Sequence, residues 1–250
     1  MTTRTLLGML TPSSNTILEP VSSAIVAACP DVSIHFSRFQ VTKISLEEGV
    51  SGQFDLGPMI TAAELLAHAQ VDAICWNGTS SGWLGLQADR DLCQKIQDRT
   101  GVPATSSVLT LLDAFRKIGA TRIGLVTPYL HEVQDKIVEN FHSEGFGCVA
   151  ERHLNDAGNF SFSEVSESTI AEMVRAVARE KPHAITIFCT NLRGARVAAM
   201  LEKELDIPIY DTVATAVLGA LRIAGKDPAE IEEWGSLFQS SQGVSTHKTN

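Results

Sequence analysis

A chain of 250 residues, 44% of them hydrophobic, can bury a substantial core as one large domain or two small ones. A net charge of −9 with no Lys/Arg cluster argues against nucleic acid or an anionic membrane as partner, because both demand a basic footprint. No apolar run approaches the roughly 20 residues of a spanning helix, and no long apolar stretch follows a basic start, so a soluble, cytoplasmic protein acting on small molecules is expected.

Short apolar runs alternate with segments of helical period, the pattern of an α/β protein with parallel strands. In chain order the pattern predicts a strand at Leu6–Leu10, a helix at Thr16–Ala28 and a strand at Val32–Phe36. No element is assigned between there and the next strand, Ala73–Trp76. A helix at Leu86–Asp98, a short strand at Pro103–Thr105 and a helix at Val108–Ile118 follow. The second half reads as strand Ile123–Val126, helix Glu132–Glu144, strand Cys148–Arg152, helix Glu167–Glu180, strand Ala184–Phe188, helix Gly194–Leu205, short strand Pro208–Tyr210 and helix Thr212–Ala224. Ser14-Asn15-Thr16 and Ser166-Glu167-Ser168 supply N-cap residues. We divide the chain into halves at 1–115 and 116–225, a terminal segment at 226–239 and a tail at 240–250. The tail, Ser240 to Asn250, is Ser/Gln/Thr-rich and expected to be disordered. The last helix is a candidate to pack back on the first half.

The halves repeat one another. Leu7-Gly8-Met9-Leu10-Thr11-Pro12 returns as Ile123-Gly124-Leu125-Val126-Thr127-Pro128, and Ala73-Ile74-Cys75-Trp76-Asn77-Gly78-Thr79 returns as Ala184-Ile185-Thr186-Ile187-Phe188-Cys189-Thr190. Val102-Pro103 and Ile207-Pro208, each leading into a helix, complete the order. Two similar halves facing each other bring equivalent loops together, so the site is expected in the cleft between them. In open parallel sheets ligands sit beyond the carboxyl ends of the strands. The loops there, Thr11 to Thr16, Gly78 to Gly82, Thr127 to Tyr129 and Cys189 to Asn191, offer hydroxyls, amides and backbone N–H groups, an inventory suited to carboxylates.

Five cysteines, Cys29, Cys75, Cys93, Cys148 and Cys189, are widely spaced without a metal-ligand pattern, and His35, His131 and His153 are dispersed. No GxGxxG or Walker motif occurs. Catalysis without metal or cofactor is the expectation. On the residues alone, Cys189 reads equally as an inert thiol at a strand end, Asn15 with Ser13 and Ser14 as a helix cap, Gly158-Asn159 as an ordinary turn, and Gly78 as a backbone requirement. Cys75, inside its strand, reads as a core residue. Arg38 and Lys43 either attract an anion or solvate a loop.

At these loops the chain resembles the aspartate/glutamate racemase superfamily, and within it the maleate cis-trans isomerases and arylmalonate decarboxylases. The resemblance covers nearly the whole chain. It implies two pseudo-symmetric Rossmann-like α/β halves, no cofactor, a small carboxylate or dicarboxylate substrate, and assembly as a homo-oligomer, which is common in the family. Family racemases and isomerases use two cysteines, one per half. By register Cys189 holds the second position, whereas Gly78 stands at the first. Gly78-Thr79-Ser80 is similar to the decarboxylases' Gly-Thr-Ser motif, in which one cysteine protonates an enediolate. The resemblance makes Thr79, Ser80, Tyr129 and the N–H of Thr190 carboxylate donors. Pro12-Ser13-Ser14-Asn15-Thr16, His35-Phe36-Ser37-Arg38 and Asn159 look instead like isomerase sequence, implying substrate contacts from Asn15, Ser13 and Asn159.

The reading is decarboxylation of a substituted malonate with Cys189 as proton donor and Trp76, Trp83 and Leu84 as an apolar wall. Gln40, Lys43 and Ser81 near the expected pocket suggest a substrate more polar than an arylmalonate. The alternatives are cis-trans isomerisation or racemisation of a small diacid, and a carboxylate-binding protein without catalysis.

Overall fold

The computed structural model describes residues 4–46 and 54–239. The tail expected over Ser240 to Asn250 lies outside the described residues. Two four-stranded parallel sheets form, each flanked by helices. The first holds β1 (Thr5–Pro12), β2 (Val32–Phe39), β3 (Ala73–Trp76) and β4 (Ala104–Ser106), in the order β2-β1-β3-β4. The second holds β5 (Arg122–Thr127), β6 (Gly147–His153), β7 (Ala184–Ile187) and β8 (Ile209–Asp211), in the equivalent order β6-β5-β7-β8. Register repeats too: Leu7 pairs with Ala73, and Ile123, its counterpart, with Ala184. The sequence repeat is thus a repeat of topology.

The central strands are mostly apolar because helices cover both faces, so no solvent side is left to pattern them. All four residues of β3 and of β7 are buried. The helices are α1 (Leu18–Ile25), α2 (Leu56–His68), α3 (Ser81–Leu84), α4 (Gln87–Thr100), α5 (Ser107–Lys117), α6 (His131–Ser143), α7 (Glu167–Ala178), α8 (Gly194–Leu205) and α9 (Thr212–Ile223). Side chains at the N-cap residue itself start three of them: Ser106 accepts from Leu109 N, Ser166 from Thr169 N, and Asp211 from Val213 and Ala214 N.

Against the sequence expectation, β2 runs on to Phe39, the single turn α3 was unassigned, and two further segments change. The helix predicted at Thr16–Ala28 starts at Leu18 and closes as a 3-10 turn over Val26–Ala28. The stretch without an assigned element contains α2, whose Pro58 sits in the first turn, where a missing N–H costs nothing.

Helix α9 joins the halves. Thr212 through Leu221 are all buried, as expected of a helix apolar on every side. It lies against α1, β3, β4 and α5 as well as β8. Thr215 Oγ1 donates to the Ser107 carbonyl at 2.8 Å. Gly219 permits the close crossing, since a Cβ there would stand 2.1 Å from Thr110 Oγ1. The terminal segment folds back as well: Lys226 pairs with Asp31 at 2.7 Å, and the Arg196 guanidinium stacks 3.8 Å from the Trp234 ring centroid. No helix among the described residues is long and apolar enough to cross a membrane.

Candidate active site

The carboxyl ends of β1, β3, β5 and β7 converge, and a narrow pocket of about 20 Å³ lies among their loops. Pro12, Val41, Ile44, Phe54, Trp76, Gly78, Thr79, Ser80 and Trp83 line it from the first half, and Tyr129, Asn159, Cys189 and Thr190 from the second. Among the described residues no Lys or Arg lines this wall, so a carboxylate entering it meets neutral donors from them.

Cys189 follows β7 and is 2% exposed. Burial pushes its thiol up to about 12, against the opposing pull of the Tyr129 hydroxyl and the N–H groups of Asn191 and Leu192, so the sulfur carries its proton at neutral pH. Those same donors wait for the thiolate once the proton has left. Tyr129, at the carboxyl end of β5, is held between Trp83 and Phe162 at ring-centroid distances of 5.2 and 5.6 Å. Its hydroxyl is 2.6 Å from Thr79 Oγ1, and burial keeps it well above the ordinary tyrosine range, hence protonated. Thr79 and Ser80 lie in the β3–α3 turn, which Ser107 Oγ anchors by donating to the Gly78 carbonyl.

Asn15 is buried, and its Oδ1 accepts from Ile17 N at 3.0 Å and Leu18 N at 2.9 Å. The capping interaction is therefore real. Its Nδ2 crosses to the other half, donating to Thr190 Oγ1 at 3.1 Å, so Asn15 positions a pocket residue without itself lining the pocket. Asn159 does line it, and its Nδ2 donates to Ser14 Oγ at 2.9 Å. Ser13 is exposed and outside the wall, its hydroxyl engaged with the backbone of Val41. Arg38 is occupied by Glu19 and by the carbonyls of Ser13 and Asn15, which makes it a brace for the β1 loop.

Of the expected apolar wall, Trp76 and Trp83 are present, whereas Leu84 is 42% exposed and outside it. Helix α3 turns Leu84 outward at its last residue. Gln40, Lys43 and Ser81 are likewise not in the wall, and Val41, Ile44 and Phe54 supply apolar surface that the sequence did not reveal. Cys75 is buried beside Cys93 and Asp89 of α4, on the opposite face of β3 from Trp76. Cys189 is the thiol of the pocket among the described residues. Among those residues no group of three or more His, Cys, Asp or Glu side chains is arranged to hold a metal ion.

The reason for glycine at position 78 is steric. A Cβ there would lie 2.1, 2.3 and 2.6 Å from Cζ2, Cη2 and Cε2 of Trp76, whose indole fills the space a side chain would take. Trp76 is 1% exposed and packs on Phe39 with ring centroids 5.3 Å apart.

A family model described as arylmalonate decarboxylase matches residues 9–238. The chain is 25% identical over 167 residues to an arylmalonate decarboxylase of Bordetella bronchiseptica, covering 66% of this chain and 70% of that protein. It is 23% identical over 246 residues to a maleate isomerase of Nocardia farcinica, covering 95% and 97%. The solved structure of the Nocardia farcinica maleate cis-trans isomerase bound to TRIS superposes with a TM-score of 0.86 at 21% identity, over 94% of this chain and 98% of that one. At that identity the superposition establishes a common fold.

Proposed function

Because this chain belongs to the arylmalonate decarboxylase family, we propose that it is an enzyme that removes one carboxylate of a substituted malonate-type diacid and protonates the resulting enediolate from Cys189. One observation carries this reading: a single protonated thiol in the pocket, paired across the cleft with a glycine whose side-chain space an indole occupies. Two-base racemisation and thiolate addition to a double bond each call for a second reactive group at position 78.

In the proposed reaction Thr79, Ser80, Tyr129 and the Thr190 N–H hold the retained carboxylate. The bond from the α-carbon to the other carboxylate breaks, carbon dioxide leaves, and its electron pair enters the enediolate. Charge then gathers on the two held oxygens, where each preorganised donor contributes about 3 kcal/mol. Cys189 gives its proton to the α-carbon, and the thiolate, met by Tyr129 and the N–H groups of Asn191 and Leu192, recovers a proton from solvent. The buried thiol is suited to this role because an acid must still hold its proton when the carbanion equivalent forms.

A second reading, cis-trans isomerisation of a maleate-type diacid, draws on Asn159 in the pocket and on the nearly full-length likeness to maleate isomerases. Incubation of native protein and Cys189→Ala in deuterated water with substituted malonates and with maleate, followed by proton NMR, separates the two. Carbon dioxide release with one deuteron delivered stereoselectively, abolished in the variant, supports decarboxylation. Fumarate from maleate sinks it in favour of the isomerase, and unchanged spectra with every diacid remove both.

A further inference from the structure

Asn191 is buried in the turn between β7 and α8, two residues after Cys189 and outside the pocket wall. Its backbone N–H and that of Leu192 are directed at the Cys189 sulfur, and Leu192 N also closes the turn on the Cys189 carbonyl at 3.2 Å. The side-chain amide reaches away from this turn to two other loops. Its Oδ1 accepts from Thr16 N at 3.0 Å, on the β1–α1 loop of the first half, and its Nδ2 donates to the Asn159 carbonyl at 2.5 Å, on the loop after β6. A peptide N–H only donates and a carbonyl only accepts, so these two partners call for one side chain that carries an acceptor and a donor side by side, in one orientation. The neighbouring Thr190 adds ties of its own: its hydroxyl accepts from Asn15 Nδ2 at 3.1 Å and donates to the Asn77 carbonyl at 3.4 Å.

We propose that the Asn191 side chain is the positioning residue of the Cys189 thiol, aiming the N–H groups of the turn at the sulfur by holding that turn against Thr16 and Asn159. The catalytic consequence rests on the decarboxylase reading, whereas the aim of the turn does not. A turn between a strand and a helix has no ladder of its own to fix its tilt, and its N–H groups serve the sulfur only while that tilt is kept. The thiolate left after proton transfer meets these donors in a buried setting, where hydrogen bonds to a charged group are at their strongest. Misplacing such groups by about 1 Å costs roughly 100-fold in rate. Loss of the amide therefore lowers kcat, because the donors count only once the sulfur is charged, and changes KM far less, because Asn191 stands outside the pocket wall. It also lowers stereoselectivity, since protons from solvent compete with a misaimed thiol.

The test combines Asn191→Ala with Cys189→Ala and follows the Leu192 amide by NMR in ¹⁵N-labelled protein. In the native background Cys189→Ala removes the sulfur and should move the Leu192 N–H signal. In the Asn191→Ala background the turn has already lost its aim, and the same change should leave that signal nearly in place. A Leu192 signal that responds in full in both backgrounds overturns the proposal, as does one that responds in neither. Asn191→Ser, which offers one polar atom where the amide offers two, replaces the alanine variant if that one does not fold. With a substituted malonate, Asn191→Ala should lose about 10- to 100-fold in kcat, the range for a hydrogen bond to a charged group, and give product of lower enantiomeric excess. Native kcat and native enantiomeric excess in the variant overturn the positioning role. If the native protein releases no carbon dioxide from any malonate, the decarboxylase reading fails by itself, and the Leu192 response alone upholds or refutes the aim of the turn.

Discussion

Replacing Gly78 by alanine adds one methyl group, and the structure gives its destination as 2.1 Å from Trp76 Cζ2. Carbon atoms in contact sit about 3.5–4.0 Å apart, so the indole or the turn has to retreat by roughly 1.5 Å. Neither moves freely: Trp76 is buried against Phe39, and the turn is tied by Ser107 to α5. Overpacking of this kind costs about 1–3 kcal/mol, which in a chain of this size lowers Tm by roughly 2–12 °C. Urea unfolding of the native protein, Gly78→Ala, Trp76→Leu and the double variant closes a mutant cycle. Trp76→Leu alone destabilises by vacating volume, and the added methyl then enters that volume, so the two changes together should cost at least about 1 kcal/mol less than their sum. Strict additivity, or a Gly78→Ala midpoint equal to the native one, would refute the packing argument and with it the steric reason for glycine. The same geometry predicts that Gly78→Cys alone installs no working second thiol.

Cys189→Ala should lower the rate of product formation by about 100- to 10,000-fold, the usual range for a positioned acid, with the fold unchanged by circular dichroism. Tyr129→Phe removes a donor beside both the thiol and Thr79 and should reduce kcat by roughly 100-fold in steady-state assays; an effect on KM alone would contradict its place in the charge-stabilising set. With Cys189 pushed up to about 12, the acid form persists through neutrality and kcat/KM should keep its alkaline limb far above the ordinary thiol range; a limb at about pH 8.5 would contradict the buried, protonated sulfur. Burial raises Asp211 to about 7 and Asp89 to about 6, so between about pH 4 and pH 7 the folded state holds protons that the unfolded chain has released. Stability should fall as pH rises through that window, and Asp211→Asn, which keeps the cap acceptor, should flatten the dependence of the urea midpoint on pH.

The central strands were legible because they lie in doubly covered parallel sheets and read as mostly apolar runs, and the repeat supplied the equivalences of the rest. Helix α2 was not, since Leu56-Gly57-Pro58 at its start has the composition of a turn although only its first turn is affected. The polar part of the site was legible from the strand ends and the family pattern: Thr79, Ser80, Tyr129, Asn159, Cys189 and Thr190 share one pocket. The apolar part depends on directions that sequence spacing does not fix. Val41, Ile44 and Phe54 come from the region between β2 and α2, and Leu84 turns away at the end of a single helical turn. Asn15 shows a third case, in which both readings coexist: its oxygen caps α1 while its nitrogen holds Thr190.

The repeat also locates the asymmetry of the site. In the matched register Trp76 corresponds to Ile187 and Gly78 to Cys189, so the halves exchange bulk between two positions that lie two residues apart along equivalent strands. In the first half the large ring at the inner position leaves no room for a side chain at the outer one. In the second half the inner residue is an isoleucine turned toward Gly194, where a Cβ would come within 2.7 Å of its Cγ2, and the outer position has space for a thiol. A substitution of Gly78 alone therefore meets the indole, and a substitution of Trp76 alone opens a void. Restoring two-sided thiol chemistry requires both changes at once, one to vacate the space and one to fill it. The proposed one-sided proton delivery would thus be tied to the packing of the first sheet and not only to the absence of a sulfur atom.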